Sequence, residues 1–395
     1  MITDEQIEDI LFKYTSRQDE FNMSVITVIA DRLAHIADFD ALNTMDSVTV
    51  RIKDIKKLKE LHAEYRKSQR EHLKDTLWWI AVVVYLESLR FYEVKTSLEM
   101  NKALMRAIED ITLDAQKNLD KVIMHPAIVM RDLKSPAVLK AYNLEQAYNS
   151  ILQEAVSYSN VSEELRDIAL KRTETQLFDS GVRYMTNVSS DSAKDTVSAN
   201  NTVRMSVLDS IKNLINKMQE IMGKQFGADA VELSAHIYPA PDHAPAQGHQ
   251  FSLKEVEKMQ SGMDFEDLQG HSYIGFERNI GEWNCRHYFM RIKKGTSPTY
   301  TQEQLNKILE DNERGYTDER GKHRTLYECT QVQRRYEREI RKAKEKYLYG
   351  KTLNDQIMMS RARNRVGVLT TQYKQFSKKC DIPAKLERIR VKYYK

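Results

Sequence analysis

Cysteine, glycine, proline and long apolar stretches are all scarce in this chain of 395 residues. Three cysteines in so long a chain do not build a disulfide framework, so stability has to come from packing, and we expect synthesis in a reducing compartment. Thirteen glycines and seven prolines exclude collagen-like and low-complexity chains and favour long helices. The longest apolar run, Leu77 to Leu86, is far shorter than the roughly 20 residues that a membrane crossing needs. The first residues do not show the basic segment followed by an apolar segment that is typical of a secretory signal, so we do not expect export.

Positive charge is concentrated near one end of the sequence. Eleven Lys and Arg residues stand against two acids between Arg361 and Lys395, whereas the net charge of the whole chain is only +4. Basic clusters of this kind adhere to polyanions, and nucleic acid is the first candidate. For the run from Gln331 to Arg341, a solvated helical face is the alternative. The candidate residues for contact with a nucleic acid or a partner protein are Arg334, Arg335, Arg338, Arg341, Arg361, Arg363, Arg365, Lys385, Arg388, Arg390 and Lys392.

Helical periodicity dominates the sequence on both sides of a central region. In residues 4–120, apolar side chains recur at the i, i+3, i+4 and i+7 positions of a helix. Pro126 and Pro136 interrupt this pattern and predict a loop or a short helix pair. Residues 187–202 are rich in Ser, Asn, Asp and Thr, which predicts an exposed loop.

Residues 226–300 have a different composition. Val231 to His236 alternates like a short strand, and Gln250 to Leu253 predicts a second one. Four of the seven prolines of the chain lie in this region. We therefore predict a mainly α fold, with helical regions at 1–125 and 126–225, a small loop-rich α+β domain at 226–300, and a helical, basic C-terminal arm at 301–395 that we interpret as extended.

Five side chains of the small domain can bind a metal ion: His236, His243, His249, Cys285 and His287. Imidazole and thiolate are ligands that zinc prefers, so zinc is the cofactor that the sequence suggests. Their spacing is weak evidence, because Cys285 and His287 share a face only on a strand. The interpretation that we favour is hydrogen bonding of these imidazoles within the loops of the domain. Catalysis by Asp242 and His243, with Cys285 as the nucleophile, is a third alternative.

The common enzyme signatures are absent from the sequence. It has no glycine-rich phosphate loop, no Gly-x-Ser-x-Gly elbow and no His-Glu-x-x-His pair. We therefore expect a protein that is not an enzyme; the alternative is a metal-dependent hydrolase or nuclease that uses the five metal-capable side chains. We also expect one structural motif to bring two loops together, and its residues are His236, Asp242, His243, Gln247, Gly248, Asn284, Cys285, Arg286 and His287.

Four segments form ordered motifs along the chain: Val203 to Val207, Val231 to His236 with Asp242 to Gly248, Trp283 to His287 with Gly295, and Gln331 to Arg341. Together they resemble the motifs of the tailed-phage minor capsid protein 2 family, a relative of the portal-associated head morphogenesis proteins. Members of that family usually carry an Arg near positions 238–240, and often an aromatic residue where this chain has Ala246.

The resemblance implies a structural protein of the virion, made in the cytoplasm of the bacterial host and located inside the phage head at the portal vertex. It implies the portal protein as a partner, with the major capsid protein and the packaged double-stranded DNA as further contacts. Helices within residues 1–225 would attach to the portal or the capsid. The basic arm would lie against the phosphates of the DNA.

Overall fold

The computed structural model describes residues 2–34, 45–94, 100, 102–131, 138–159, 177, 181–280, 285–391 and 394. The described chain is mainly α, which confirms the predicted fold class. The helices are α1 (Asp4–Ala34), α2 (Met45–Phe91), α3 (Lys102–Ile123), α4 (Leu144–Ser159), α5 (Ala199–Phe226), α6 (Leu253–Gln260), α7 (Gln302–Arg314), α8 (Leu326–Thr352) and α9 (Gln356–Lys379). The strands are β1 (Pro126–Arg131), β2 (Leu139–Asn143), β3 (Val182–Met185), β4 (Thr196–Ser198), β5 (Ala230–Leu233), β6 (Gln250–Ser252), β7 (Phe265–Glu266), β8 (Ser272–Tyr273), β9 (Phe289–Ile292), β10 (Tyr316–Thr317) and β11 (His323–Arg324).

Helix α5 lies at the centre of the largest core and packs against α1, α2 and α3. It ends at Gly227, whose φ of 72° places this residue in the left-handed conformation that glycine adopts readily at the end of a helix. The apolar residues that α5 buries recur every three or four positions, and they include Val203, Val207, Leu208, Ile211, Leu214, Ile215 and Met218. Among the described residues, no helix combines the length and the apolarity that a membrane crossing needs.

A four-stranded antiparallel sheet follows α3, in the order β2-β1-β3-β4. The prediction of a loop or a short helix pair at Pro126 was wrong, because this proline is the first residue of β1. A strand tolerates proline at that position, and the β-branched Ile128 and Val129 favour extended backbone. The interruption at Pro136 lies outside the described residues.

The polar stretch at 187–202 forms a loop only in its first part. A short 3-10 turn occupies Ala193–Asp195, strand β4 follows it, and α5 begins at Ala199. The serines of this stretch stabilise the turn, because the Ser192 side chain accepts a hydrogen bond from the Lys194 amide. Small polar residues thus cap local structure here, as they do at many helix starts.

The small domain contains a three-stranded antiparallel sheet in which β5 lies between β6 and β9. Both predicted strands are present, although each is shorter than predicted, at Ala230–Leu233 and Gln250–Ser252. Val231 pairs with Phe251 on one side and with Arg291 on the other. The apolar core on this sheet consists of Val231, Leu233, Ala246, Phe251, Met259, Phe265, Phe276, Ile280, Cys285 and Phe289.

Helices α8 and α9 form a hairpin that packs on the rest of the chain. A capping box of Thr325 and Glu328 begins α8, and the Asp355 side chain caps α9. The two helices bury a cluster between them that contains Ile340, Ala343, Val366, Leu369, Tyr373 and Ile389. Because α8 also packs against α1, this C-terminal segment is helical as predicted but folded back, not extended.

Candidate functional site

Three segments of the small domain meet at one end of its sheet. Strands β5 and β9 run antiparallel with Leu233 opposite Phe289, so the residues after β5 lie next to the residues before β9. A series of turns over residues 241–248 then brings the chain back to the start of β6. The side chains collected there are His236, His243, Gln247, Cys285 and His287, whereas Asn284 lies outside the described residues.

His243, Cys285 and His287 form a buried group that we call the His/Cys cluster. The Sγ atom of Cys285 lies 3.4 Å from Nδ1 of His243 and 3.5 Å from Nδ1 of His287. All three side chains are buried. One sulfur and two imidazole nitrogens in this arrangement can either share hydrogen bonds or hold a single metal ion.

The outer nitrogen of each imidazole has an oxygen partner. Nε2 of His243 lies 2.6 Å from the carbonyl oxygen of Arg278, and Nε2 of His287 lies 3.3 Å from Oε1 of Gln247. Because carbonyl oxygens only accept hydrogen bonds, Nε2 carries the proton in both rings. In the neutral rings, Nδ1 therefore directs its lone pair towards the sulfur of Cys285.

Burial keeps both imidazoles neutral at physiological pH. It lowers the pKa of His287 well below the ordinary value of 6.5, and the neighbouring histidines His236 and His243 lower it further. Burial also lowers the pKa of His243, although the hydrogen bond to the Arg278 carbonyl partly opposes this effect. Neutral imidazole is the form of histidine that binds metals.

Gln247 and Gly248 hold the turn around the cluster in place. Besides facing His287, Oε1 of Gln247 accepts a hydrogen bond of 2.9 Å from the backbone amide of His236. Gly248 has a φ of +75°, and a Cβ atom there would collide with the side chain of Leu305. Only glycine therefore fits this position without displacing its neighbours.

Asp242 acts on the cluster through Arg278. Its two carboxylate oxygens accept hydrogen bonds of 2.9 Å from Nε and a terminal nitrogen of the Arg278 guanidinium. This bidentate pair fixes the segment whose carbonyl oxygen binds His243. Oδ1 of Asp242 also accepts a hydrogen bond of 3.1 Å from the backbone amide of His243, so Asp242 is a positioning residue.

A cavity of about 410 Å³ opens beside the His/Cys cluster. One side of its wall contains His236, Cys285 and His287. Its other described lining residues include several guanidinium groups and no carboxylate, and we call it the arginine cavity. These guanidinium groups belong to Arg204, Arg278, Arg286, Arg334 and Arg338. The sequence did not predict that Arg204 and Arg278 line a common cavity, because they are far apart along the chain.

Glu8 is the carboxylate that lies next to these arginines. Arg204 binds it with two contacts of 2.7 and 3.1 Å, and Arg334 binds it at 3.0 Å. Burial alone would raise the pKa of Glu8, but the Arg334 and Arg204 guanidinium groups together hold it far below the ordinary value. Burial lowers the pKa of Arg334 to about 10, and the neighbouring arginines contribute to this shift while Glu8 opposes it.

His249 does not belong to the His/Cys cluster, which corrects its grouping with the other candidate metal ligands. Its Nδ1 atom lies 2.9 Å from Oδ2 of Asp267, and Nδ1 of His271 lies 2.8 Å from the same oxygen. The Tyr273 hydroxyl also donates to this oxygen at 2.9 Å. The sequence analysis missed Asp267 and His271, although their i, i+4 separation within a turn was a usable signal.

The candidate contact residues fall into two groups. Arg335, Arg338, Arg361, Arg363, Arg365 and Arg390 are exposed. The others are engaged within the chain: Arg334 and Arg388 with Glu8, Lys385 with Glu5, and Arg341 with Asp19. Arg341 is buried at 8% exposure, so its prediction as an external contact needs correction. Lys392 lies outside the described residues.

Comparison with known proteins places the chain in one family. A family model described as phage minor capsid protein 2 matches residues 2–378, a much longer stretch than the motifs recognised in the sequence. Searches among curated proteins and solved structures gave no match. The chain, whose match covers almost its whole length, belongs to the phage minor capsid protein 2 family and is a structural protein of the bacteriophage virion.

Proposed function

We propose that this minor capsid protein sits at the portal vertex inside the phage head and contacts the packaged double-stranded DNA through helix α9. The amino-acid composition of α9 is the observation that supports the DNA contact. It contains six basic residues and no acidic residue over its 24 positions. DNA presents a dense row of phosphates, and uncompensated cations bind it by displacing counterions.

The basic residues of α9 lie in two rows. With 100° of rotation per residue, Arg361, Arg365 and Lys379 fall on one side of the helix, and Arg363, Lys374 and Lys378 fall on the other. The outer face between the rows is neutral and includes Asn364, Thr371 and Gln375. The buried face opposite packs on α8 through the hairpin core. Cations on both flanks of an exposed helix suit contact with phosphates, which position a protein without reading the base sequence.

Charge neutralisation on α9 tests the DNA contact. The double variant Arg361→Gln/Arg365→Gln should bind duplex DNA of arbitrary sequence more weakly than the wild type. If each arginine contacts one phosphate, the slope of log K against log salt should fall by about 0.9 per lost contact. The control variant Lys53→Gln/Lys57→Gln removes two exposed charges from α2 and should leave the slope unchanged. Equal slopes for the wild type and the α9 variant would reject the proposal.

Attachment to the portal or to the major capsid protein is supported by the family and by an apolar patch on α2. Trp79 and Val82 lie one turn apart and are 45% and 43% exposed. Exposed large apolar side chains that lie side by side favour contact with a partner protein. The variant Trp79→Ser/Val82→Ser should reduce the amount of the chain in purified heads. Cryo-EM of heads that finds the protein away from the portal vertex would overturn the location.

A metal-dependent hydrolase or nuclease is a second candidate function. The observation that favours it is the His/Cys cluster beside a cavity that suits a phosphate group. Purified protein supplied with zinc should then cleave nucleic acid, and His243→Ala should abolish the cleavage without unfolding the domain, as circular dichroism can check. Absence of cleavage in the zinc-supplied wild type would count against this candidate and leave the structural function untouched.

A further inference from the structure

The distances in the His/Cys cluster match those of a zinc site. In tetrahedral zinc coordination, with Zn–S near 2.3 Å and Zn–N near 2.0–2.1 Å, a sulfur and a nitrogen ligand lie about 3.6 Å apart. The two sulfur–nitrogen distances in the cluster are 3.4 and 3.5 Å. The ligand atoms of all three residues also lie within 4.8 Å of one another. The two sulfur–nitrogen distances thus fit two edges of one coordination tetrahedron.

The surroundings of the cluster also suit a metal. Histidines that bind zinc usually donate their other N–H to a carbonyl or carboxylate oxygen, which fixes the ring and its tautomer. Both histidines of the cluster do so, to the Arg278 carbonyl and to Oε1 of Gln247. The Asp242–Arg278 pair supports one of these acceptors in turn. With Nε2 of each ring held in this way, both Nδ1 lone pairs are free to face a common ion.

The Asp267 group shows the opposite arrangement. There the Nδ1 atoms of both histidines point at one carboxylate oxygen, which also accepts from the Tyr273 hydroxyl. Donors and acceptor satisfy one another, and the His271 side chain is 61% exposed. We therefore interpret this group as a set of hydrogen bonds that stabilises the turn. Variants of its histidines serve as controls in the metal-binding experiments.

We propose that Nδ1 of His243, Sγ of Cys285 and Nδ1 of His287 bind one zinc ion whose fourth coordination position opens onto the arginine cavity. Thiolate and imidazole select zinc over magnesium or calcium, which prefer oxygen ligands. Cys285 and His287 line the cavity, and His243 is not among its described lining residues. The guanidinium groups that line the same cavity favour an anion at the fourth position, and their chemistry suits a phosphate group. This inference does not depend on the DNA contact of α9.

Cobalt substitution of the full chain tests the metal site directly. Cobalt(II) that replaces zinc in a tetrahedral site with a thiolate ligand gives a sulfur-to-metal charge-transfer band and intense visible bands. We expect one cobalt per chain with both features in the wild type, and displacement of the cobalt by zinc. Wild-type protein that binds no cobalt, or binds it without the charge-transfer band, would overturn the proposal whatever the variants do.

Matched variants identify the ligands. Cys285→Ser should abolish the charge-transfer band, whereas Cys329→Ser, which changes another buried thiol, should keep it. His287→Gln should lower the stoichiometry, whereas His271→Ala in the Asp267 group should leave it at one. Far-UV circular dichroism checks that each variant is folded. A band that survives in folded Cys285→Ser, or disappears in folded His271→Ala, would contradict the assignment.

Inorganic phosphate probes the fourth position. It should shift the visible bands of the cobalt-loaded wild type, because a new oxygen ligand enters from the arginine cavity. Arg338→Gln, which changes the cavity wall, should require several-fold more phosphate for the same shift. Arg335→Gln, one turn away on α8 and not in that wall, should behave like the wild type. Bands that do not respond to phosphate would reject the open position.

Discussion

Two sets of cations on the α8–α9 hairpin and the segment that follows it differ in what surrounds them. The inner set, Arg334, Arg341 and Arg388, forms ion pairs with Glu8 or Asp19 of α1. The outer set, Arg361, Arg363, Arg365, Lys374 and Lys378, lies exposed on α9. The inner cations hold the hairpin on the body, and the outer cations are the ones that we propose to contact DNA. A count of basic residues in the sequence cannot separate these roles, because the helix face on which a charge lies decides its partner.

Removal of the central acid should have the largest effect. Glu8→Gln leaves Arg204, Arg334 and Arg388 without their shared counter-charge. Loss of one partner of a buried ion pair typically costs about 3–5 kcal/mol, and we expect that decrease in the free energy of unfolding in urea. Glu319→Gln removes the exposed partner of Lys379 and should change stability by less than about 1 kcal/mol. Comparable losses in both variants would remove the distinction between inner and outer pairs.

The same glutamate should make stability sensitive to acid. The arginines hold the folded-state pKa of Glu8 below its ordinary value of 4.5, so its stabilisation is complete above pH 4.5 and is lost as the pH falls through the folded-state pKa. Urea titrations at decreasing pH should show a steeper loss for the wild type than for Glu8→Gln. Parallel curves would show that Glu8 is not the titrating group.

Tyr373 tests the inner face of α9. Its hydroxyl donates to Glu337 at 2.8 Å and accepts from the Lys385 amide at 2.9 Å, and the side chain is buried. Tyr373→Phe should cost about 1–3 kcal/mol, because the buried Glu337 carboxylate loses a hydrogen bond and the Lys385 amide loses its acceptor. Tyr347→Phe, which loses only a contact with exposed Arg363, is the control and should be nearly neutral.

Glu345 should respond to pH in the opposite direction from Glu8. Burial and the nearby Asp19 carboxylate raise the pKa of Glu345 well above 4.5, so its contribution to stability is present below pH 4.5 and is lost as the pH rises through the folded-state value. Glu345→Gln should therefore gain stability over the wild type as the pH increases from 4.5 to neutrality. A variant that is less stable than the wild type at neutral pH would show that the ionised form is stabilised inside the protein.

The outer set should have the smallest effect on stability. Arg361→Gln/Arg365→Gln should change the free energy of unfolding by no more than about 0.5 kcal/mol per site, as is usual for exposed positions. The same variant should weaken DNA binding, so the two measurements together separate a contact surface from a structural one. Arg341→Gln is the counterpart from the inner set and should be clearly destabilising.

Sequence patterns correctly predicted those elements whose formation depends on residues close together in the chain. Apolar spacing predicted the helical face of α1 that buries Ile7, Leu11 and Tyr14, and alternation predicted β5. Both signals depend on neighbours along the chain. The sheet that begins at Pro126 was missed because a proline that ends one helix can equally begin a strand.

Such patterns cannot predict contacts between segments that are far apart in the sequence. Glu8 meets Arg204 and Arg334, and nothing near Glu8 in the sequence indicates either partner. Likewise, the position of His249, which directly precedes β6, depends on how β6 pairs with β5. The residue types of the small domain predicted where chemistry is concentrated, and the topology decided that His243 joins Cys285 while His249 joins Asp267.

The contacts of Glu8 with Arg204, Arg334 and Arg388 also set an order of events during synthesis. Residue 8 leaves the ribosome long before Arg334 and Arg388 have been made, so these two ion pairs close only after α8 and the segment that follows α9 have been synthesised. Contacts this far apart in sequence form late in folding. We expect a chain that stops before α8 to keep part of α1 uncovered and accessible to proteases of the host. Closure around Glu8 therefore requires the α8–α9 hairpin and the segment after it, so a copy truncated before α8 lacks the residues that cover this part of α1.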